Sequence, residues 1–402
     1  MNTSPGARFL PLAGIKVLDL SKVLAGPLCT QYLADLGAEV TKVEPPGGDD
    51  TRHWPPFEAG EGTIFLSVNR NKRSLALDLR RPEGRAICER LARDADVMIE
   101  SLGPGAAERL GLGEAAMRTA NPRLIHCSIS GYGSVGPMKD AKGYDLVAQA
   151  FTGMLSITGE PEGPPVRSPF SPVDQAAGMN LVIGILAALR QRDLTGTGAR
   201  LESSLFDSAV GFLGYFLQGY WQRGTEPLKP GSGHESLCPY QAFETKDRPL
   251  ILGVANDSLW RSFCAVAGYP ALAEDTRFLT GADRVRNRPE TVRIVAEIMR
   301  ERTRAQWIDV LEAQSIPCSP VHSLGELDRH PHTEASGMVF GYTRGQQTLK
   351  GVATPLRIDG KRPALRTAPP RLGEHSEAVL ADLGYTKAEI ADLLDRGVVL
   401  AG

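Results

Sequence analysis

Apolar positions along the first 200 residues follow two alternating rhythms. Short β-rich runs, "IKVLDL" (15–20), "EVTKVE" (39–44), "DVMIES" (96–101) and "RLIHCSISGYG" (123–133), read as strands, the first of them buried. Between them, "PLCTQYLADLG" (27–37), ended by Gly37, and "PEGRAICERLARDA" (82–95) carry the spacing of helices, and "GPGAAERLGLG" reads as a loop with a short helix. Strands alternating with helices predict a parallel sheet covered by helices, hence a Rossmann-like α/β layer.

Further on, "LVIGILAALRQRDLTGTGARLESSLFDSAVGFLGYFLQGYWQRG" holds two helices, apolar on all sides, around a turn and a short strand, "ARLESS". A helix without a polar face predicts burial. The pattern changes after "TEPLKPGSGHESLCPY": a strand, "RPLILGVAN", precedes amphipathic helices at 257–267, 288–303 and 304–314. These rhythms divide the chain into 1–225, the first part of a large Rossmann-like domain; 226–325, a smaller α+β domain; and 326–402, whose two short helices are expected to pack back on the large domain.

Composition narrows the function classes. With 402 residues the chain exceeds one ordinary core, and 42% hydrophobic residues with a formal net charge of -2 show no bias toward polyanions, so nucleic acid is not an expected partner. The six cysteines (29, 88, 127, 238, 264, 318) form no CxxC pair, which argues against a disulfide framework and a structural zinc site. The N-terminus lacks the pattern of a signal peptide, and no span approaches about 20 apolar residues. A cytoplasmic, soluble protein with no membrane contact is expected.

Several common chemistries are missing their residues. The first strand–helix junction, "SKVLAGPLCT", has one glycine where a dinucleotide site needs G-x-G-x-x-G, and "GPGAAERLG" lacks the Lys-Ser/Thr ending of a P-loop. No G-x-S-x-G elbow occurs. "RHPHTE" (329–334) reads as a solvated loop, so no metal site is expected, and His126 reads as a hydrogen-bonded core histidine. His234, among glycines and polar residues in "GSGHESLCPY", is a candidate to line a site. The cluster Arg70, Lys72, Arg73, Arg80 and Arg81 reads either as an exposed charged face or as a phosphate site. In "SPFSPVDQAAGMNLVIGILAALRQR" (168–192), Asp174 precedes a long apolar helix. It suits an N-cap, and capping explains it fully. The same donors are expected to lower its pKa, leaving an ionised carboxylate competent to attack a thioester.

Seven stretches in order give a resemblance along nearly the whole chain: "GIKVLDLSKVLAGPLCTQYLADLGAEVTKVEPPGGDDTR", "NRNKRSLALDLRRPEGR", "GPGAAERLGLG", "NPRLIHCSISGYG", "GYDLVAQAFTGM", "DQAAGMNLVIGILAALRQRDLTGTG" and "RLGEHSEAVLADLG". The chain resembles the family III CoA-transferases, of formyl-CoA and carnitine-CoA transferase type. The resemblance implies a large Rossmann-like domain built from both chain ends, a smaller domain between them, and a homodimer of interlinked subunits. It implies CoA thioesters as substrates with no permanently bound cofactor, and Asp174 as the residue that forms an aspartyl mixed anhydride and then an enzyme–CoA thioester.

Its CoA contacts carry over to Leu24 and Ala25, to Leu77, Asp78, Leu79 and Arg80, to Ser101 and Leu102, which stand where an Asn-Phe pair is usual, and to Arg109, Lys142 and Tyr144. Pro45 replaces a CoA-contacting arginine of some members. Asp145 falls where a carboxylate lies near substrate, and His234 and Arg52 are candidates for holding the remote carboxylate of a dicarboxylic acceptor. The stretches "VEPPGGDDTRHWPP" and "GHESLCPYQAFETKD" look most like the succinyl-CoA:dicarboxylate branch, which includes glutarate and citramalate transferases. The alternatives are a 2-methylacyl-CoA racemase, for which Tyr144 replaces the histidine needed as proton shuttle, and a catalytically silent CoA-binding subunit.

Overall fold

Apolar runs with little polar relief can be satisfied only inside a sheet covered on both faces. In the structure, a computed structural model describing residues 10–402, they form one. The first nine residues, part of the segment read above for a targeting signal, lie outside the described residues. Strand β1 (Lys16–Leu20) leads into helix α1 (Ala25–Asp35), β2 (Glu39–Glu44) and β3 (Lys72–Leu77). Helix α2 (Pro82–Asp94) precedes β4 (Val97–Glu100) and β5 (Ile125–Ser130). Helices α3 (Asp145–Phe151) and α4 (Pro172–Thr195) follow, then β6 (Arg200–Ser204) and α5 (Leu205–Phe212). The strands lie side by side in the order β3-β2-β1-β4-β5-β6, all parallel. This is the order of a doubly wound sheet that reverses between β1 and β4.

Strand β3 corrects the reading of the basic cluster. Three of those residues, Arg70, Lys72 and Arg73, belong to a buried strand and its approach, not to an exposed face or a phosphate site. Lys72 is 1% exposed and donates to Asp19 on β1 (3.2 Å), the Pro27 carbonyl and Asn69. Arg70 is held by Asp35 at 2.7 Å and by the Val352 carbonyl. Burial would raise the Asp19 carboxyl, but the charges of Lys72 and Lys42 and the hydroxyls of Ser21 and Thr30 bring it down to about 2. Buried charges survive when paired and hydrogen-bonded.

Contacts divide the chain into two units. The first holds the described residues up to Thr152, Ser168–Leu217 and His332–Gly402. Its C-terminal part adds helices Ser376–Asp382 and Lys387–Asp395, which share a core with Leu75 and Leu77 of β3. Its last strand, Val399–Leu400, pairs antiparallel with β3 at the sheet edge. The second unit holds Gln218–Pro331 and Gly153–Arg167. There β7 (Tyr240–Phe243), β8 (Leu250–Gly253) and β9 (Cys318–Pro320) form an antiparallel sheet packed with Trp260, Phe263, Phe278 and Trp307. The sequence reading left 153–167 in the large domain; its backbone is bound instead by Gly231 N–H to the Gly159 carbonyl (3.0 Å) and by Lys229 to the Gly163 carbonyl (2.7 Å).

Helix α4 has 24 residues, and by length and composition alone it passes as a membrane span, against the expectation that no span does. Half of its most apolar window is buried within the protein, including Val173, Ala177, Leu181 and Ile185, so it serves as a core helix here.

Candidate active site

Open α/β sheets bind ligands beyond the carboxyl ends of their strands, at the point where strand order reverses. Here the loops leaving β1, β2, β3 and β4 enclose a cavity of about 500 Å3. Leu77, Asp78, Leu79 and Arg80 line it from the end of β3, Leu102 from the end of β4, and Pro45 from the end of β2. Five of the expected CoA contacts thus share one cavity. Arg80 is largely exposed but paired with Asp78 at 2.8 Å, so an incoming phosphate has to compete with that carboxylate. A separate cavity of about 530 Å3 at the amino-terminal edge of the strands, by Lys16, Glu39 and Lys72, shares none of these residues.

The remaining expected contacts are distributed around this edge. Leu24 and Ala25 form the start of α1. Ser101 accepts a hydrogen bond from the Lys22 N–H at 3.0 Å, so its hydroxyl holds the neighbouring loop. Arg109 ends the short helix Ala106–Arg109 and is exposed, as are Lys142 and Tyr144. Gly131 and Gly143 touch backbone to backbone: a Cβ on Gly143 would stand 2.5 Å from the Gly131 Cα. That approach docks the 142–145 segment onto the end of β5.

Asp145, the first residue of α3, is buried, and its side chain reaches the start of α4. Its Oδ2 accepts the N–H groups of Val173 (2.9 Å) and Asp174 (3.2 Å), and Gln149 donates to its Oδ1. The cap of α4 is therefore Asp145, supplied from another helix. This corrects the reading of Asp174 as the cap: the N-cap position is Ser171, with φ 49°, Pro172 opens the helix, and Asp174 is its third residue.

Among the described residues no donor reaches the carboxyl oxygens of Asp174. Burial, and then the charge of Asp145, push its pKa up to about 7, opposite to the lowering expected from a cap. A second carboxylate at the same helix start disfavours the charged form of Asp174. Four residues along the same helix face, Gly178 packs so closely on α1 that a Cβ would meet the Ala25 carbonyl at 2.5 Å. Asp174 therefore lies on the face of α4 turned toward the start of α1, where Leu24 and Ala25 stand.

One expected substrate contact is already committed within the first unit. Arg52 is 3% exposed and fully committed: Glu44 takes its Nε and NH2 (2.7 and 2.8 Å), Glu61 takes NH1 at 2.8 Å, and the Phe65 ring lies under it. It is a structural cation, which corrects its assignment to a substrate carboxylate. His234 belongs to the second unit, where its Nδ1 accepts the Ser236 N–H at 3.1 Å and its ring meets Tyr240 edge-on.

Sequence reasoning missed Gln149 and Glu100. Gln149 sits one turn after Asp145, a spacing at which a Gln–Asp pair is itself a signal. Glu100, at the end of β4, accepts the Leu102 N–H at 2.9 Å, and burial pushes it up to about 7; an apolar strand ending in a carboxylate was the available hint. His126, read as a hydrogen-bonded core histidine, is buried and hydrogen-bonded to the Leu112 backbone, with its Nε2 unpartnered.

Fold and site together define an α/β protein with a cavity at the reversal point of a doubly wound sheet and a carboxylate pair at a helix start. The model of CoA-transferase family III matches residues 12–376. An acyl-CoA transferase of Fusarium pseudograminearum is 40% identical, over 96% of this chain and 88% of its own length. Succinyl-CoA:glutarate CoA-transferase of Mus musculus is 39% identical, over 97% and 90%. A CAIB/BAIF family protein from Brucella suis, 35% identical, superposes with a TM-score of 0.84 over 94% of this chain and all of that one. The chain belongs to CoA-transferase family III.

Proposed function

We propose that the protein moves CoA from succinyl-CoA to a dicarboxylic acid, with Asp174 as the covalent carrier. The observation that carries this reading is Asp174, on the α4 face that meets the start of α1, with Asp145 of α3 beside it. The mouse relative's name, succinyl-CoA:glutarate CoA-transferase, supports the choice of substrates.

Ionised Asp174 attacks the thioester carbonyl; the C–S bond breaks, leaving an aspartyl–succinyl anhydride and CoA thiolate. The thiolate attacks the aspartyl carbonyl, releasing succinate and leaving an aspartyl–CoA thioester. The acceptor carboxylate attacks that thioester, and the thiolate expelled then attacks the acceptor's own acyl carbon, freeing Asp174. Each step exchanges one carbonyl bond for another, so no proton or redox partner is consumed, and covalent catalysis divides one poor exchange into easier transfers. A raised pKa makes the Asp174 carboxylate more basic and a stronger nucleophile when ionised. The remote carboxylate of the acceptor is assigned to loop amides.

The test is a panel of carboxylic acids with succinyl-CoA, joined to hydroxylamine trapping. Turnover with glutarate-like diacids and a hydroxamate on Asp174 by mass spectrometry is the expected result. Turnover confined to formate or oxalate would sink the dicarboxylate assignment, and absence of any adduct would sink the carrier.

The working form is proposed to be a homodimer of interlinked subunits. Met179, Ile183, Leu186 and Leu194 leave an apolar stripe of α4 exposed, and Phe212 and Trp221 are exposed nearby in the sequence. Contiguous apolar surface of this kind marks interfaces. Light scattering is expected to give twice the 43.3 kDa chain mass; a monomer mass contradicts the assignment.

A further inference from the structure

The loop between β1 and α1 is bent against its own preference. Val23 has φ 68°, in the left-handed region that β-branched residues avoid. Such a conformation persists only where surrounding structure over-determines it, and it clusters at ligand clamps. The two residues that follow, Leu24 and Ala25, begin α1.

The constraint on Val23 comes from Asp49. Its carboxylate receives the Val23 N–H at 3.3 and 3.4 Å through its two oxygens. Asp49 itself is 2% exposed and fixed from several sides: Lys42 Nζ lies 3.0 Å from Oδ2, and the Thr51 N–H and hydroxyl donate to Oδ1 at 3.0 and 2.7 Å. Its own N–H donates to Glu44. Lys42 in turn donates to the Ser21 carbonyl at 2.8 Å, so both ends of the bend rest on one buried ion pair. Ser101 holds the Lys22 N–H between them. Lys42, Asp49 and Lys22 also line the 500 Å3 cavity.

We propose that Asp49 is a positioning residue for CoA: anchored on Lys42, it holds Val23 left-handed and so fixes the backbone that runs from Ser21 and Lys22, which line the cavity, to Leu24 and Ala25 at the start of α1. The inference rests on the CoA reading of that cavity. Asp49 touches no reacting atom, and its contribution is made before the thioester arrives, by removing the other conformations of the loop.

The distinguishing variant is a glycine at 23, because glycine enters the left-handed region without penalty. Free CoA binding is measured by calorimetry on the full chain, together with the melting temperature. Asp49→Ala is expected to weaken CoA binding about tenfold or more and to lower the melting temperature. Adding Val23→Gly is expected to bring the affinity back to within about threefold of the unaltered protein, while the melting temperature stays low because Lys42 still lacks its partner. Should Asp49→Ala fail to fold, Lys42→Met/Asp49→Ala removes both charges together and takes its place in the same comparison. A loss of affinity that Val23→Gly leaves unrepaired, or no loss at all, overturns the positioning role while the CoA reading stands. An unaltered protein that does not bind CoA overturns both.

Discussion

Asparagine in place of Asp174 is expected to reduce CoA transfer by about 10^4-fold or more, since losing the proposed covalent carrier leaves only the positioning of two poor reactants. The same substitution is expected to stabilise the protein at pH 8. The folded Asp174 titrates at about 7 against an ordinary 3.8, so the folded state holds this proton more tightly than the unfolded chain. Below about pH 4 both states are protonated and the residue costs nothing. Between 4 and 7 only the unfolded chain ionises readily, and above 7 the penalty on the folded state is complete. That interval caps the effect at about 4 kcal/mol, and solvent access at this half-buried carboxyl reduces it to about 1–2 kcal/mol. The melting temperature of Asp174→Asn should therefore exceed that of the unaltered protein by a few degrees at pH 8, with the gain gone at pH 4. Retained activity would remove Asp174 from the mechanism. An equal melting temperature at pH 8 would remove the raised pKa.

The same physics explains what the sequence made legible. Strands β1 and β4 announce themselves because they are apolar along most of their length, and β2 and β5 by their β-branched and apolar residues between helical stretches. Strand β3 does not, because it opens with Lys72 and Arg73, and the charge on Lys72 makes sense only once Asp19, 53 residues away, is known to lie beside it. The extra arm of the second unit, Gly153–Arg167, is held by backbone carbonyls, which leave no mark in residue identity. Arg52 looked like a substrate clamp because an arginine in a polar loop has that chemistry; three partners, among them Glu44 eight residues back, had already taken it. Asp174 was found at the right place and given the wrong electrostatics. A cap is a local event between neighbours, and here the capping carboxylate comes from Asp145, 28 residues before the first N–H it accepts.

That substitution of one carboxylate for another leads to the second large effect. Alanine at Asp145 leaves the Val173 and Asp174 N–H groups and the Gln149 amide without their acceptor in a buried setting, and a loss of about 2–4 kcal/mol is expected. Asparagine keeps one acceptor oxygen and is expected to lose about 1 kcal/mol. Both variants remove the charge that helps hold Asp174 up, while burial, the larger cause, remains. The acid limb of kcat/KM, expected near pH 7 in the unaltered protein from the raised Asp174, is expected to move to lower pH in both variants without reaching the ordinary 3.8. Only about a tenth of Asp174 is ionised at pH 6 when its pKa is about 7, so activity at pH 6 relative to pH 8 rises several-fold in Asp145→Asn. Helix capping alone predicts a different pattern, a uniform loss at every pH. Profiles of kcat/KM from pH 5 to 9 on the folded fraction separate the two: an unmoved acid limb would leave Asp145 as a cap and nothing more, whereas a moved one makes it a residue that, after burial, raises the pKa of Asp174.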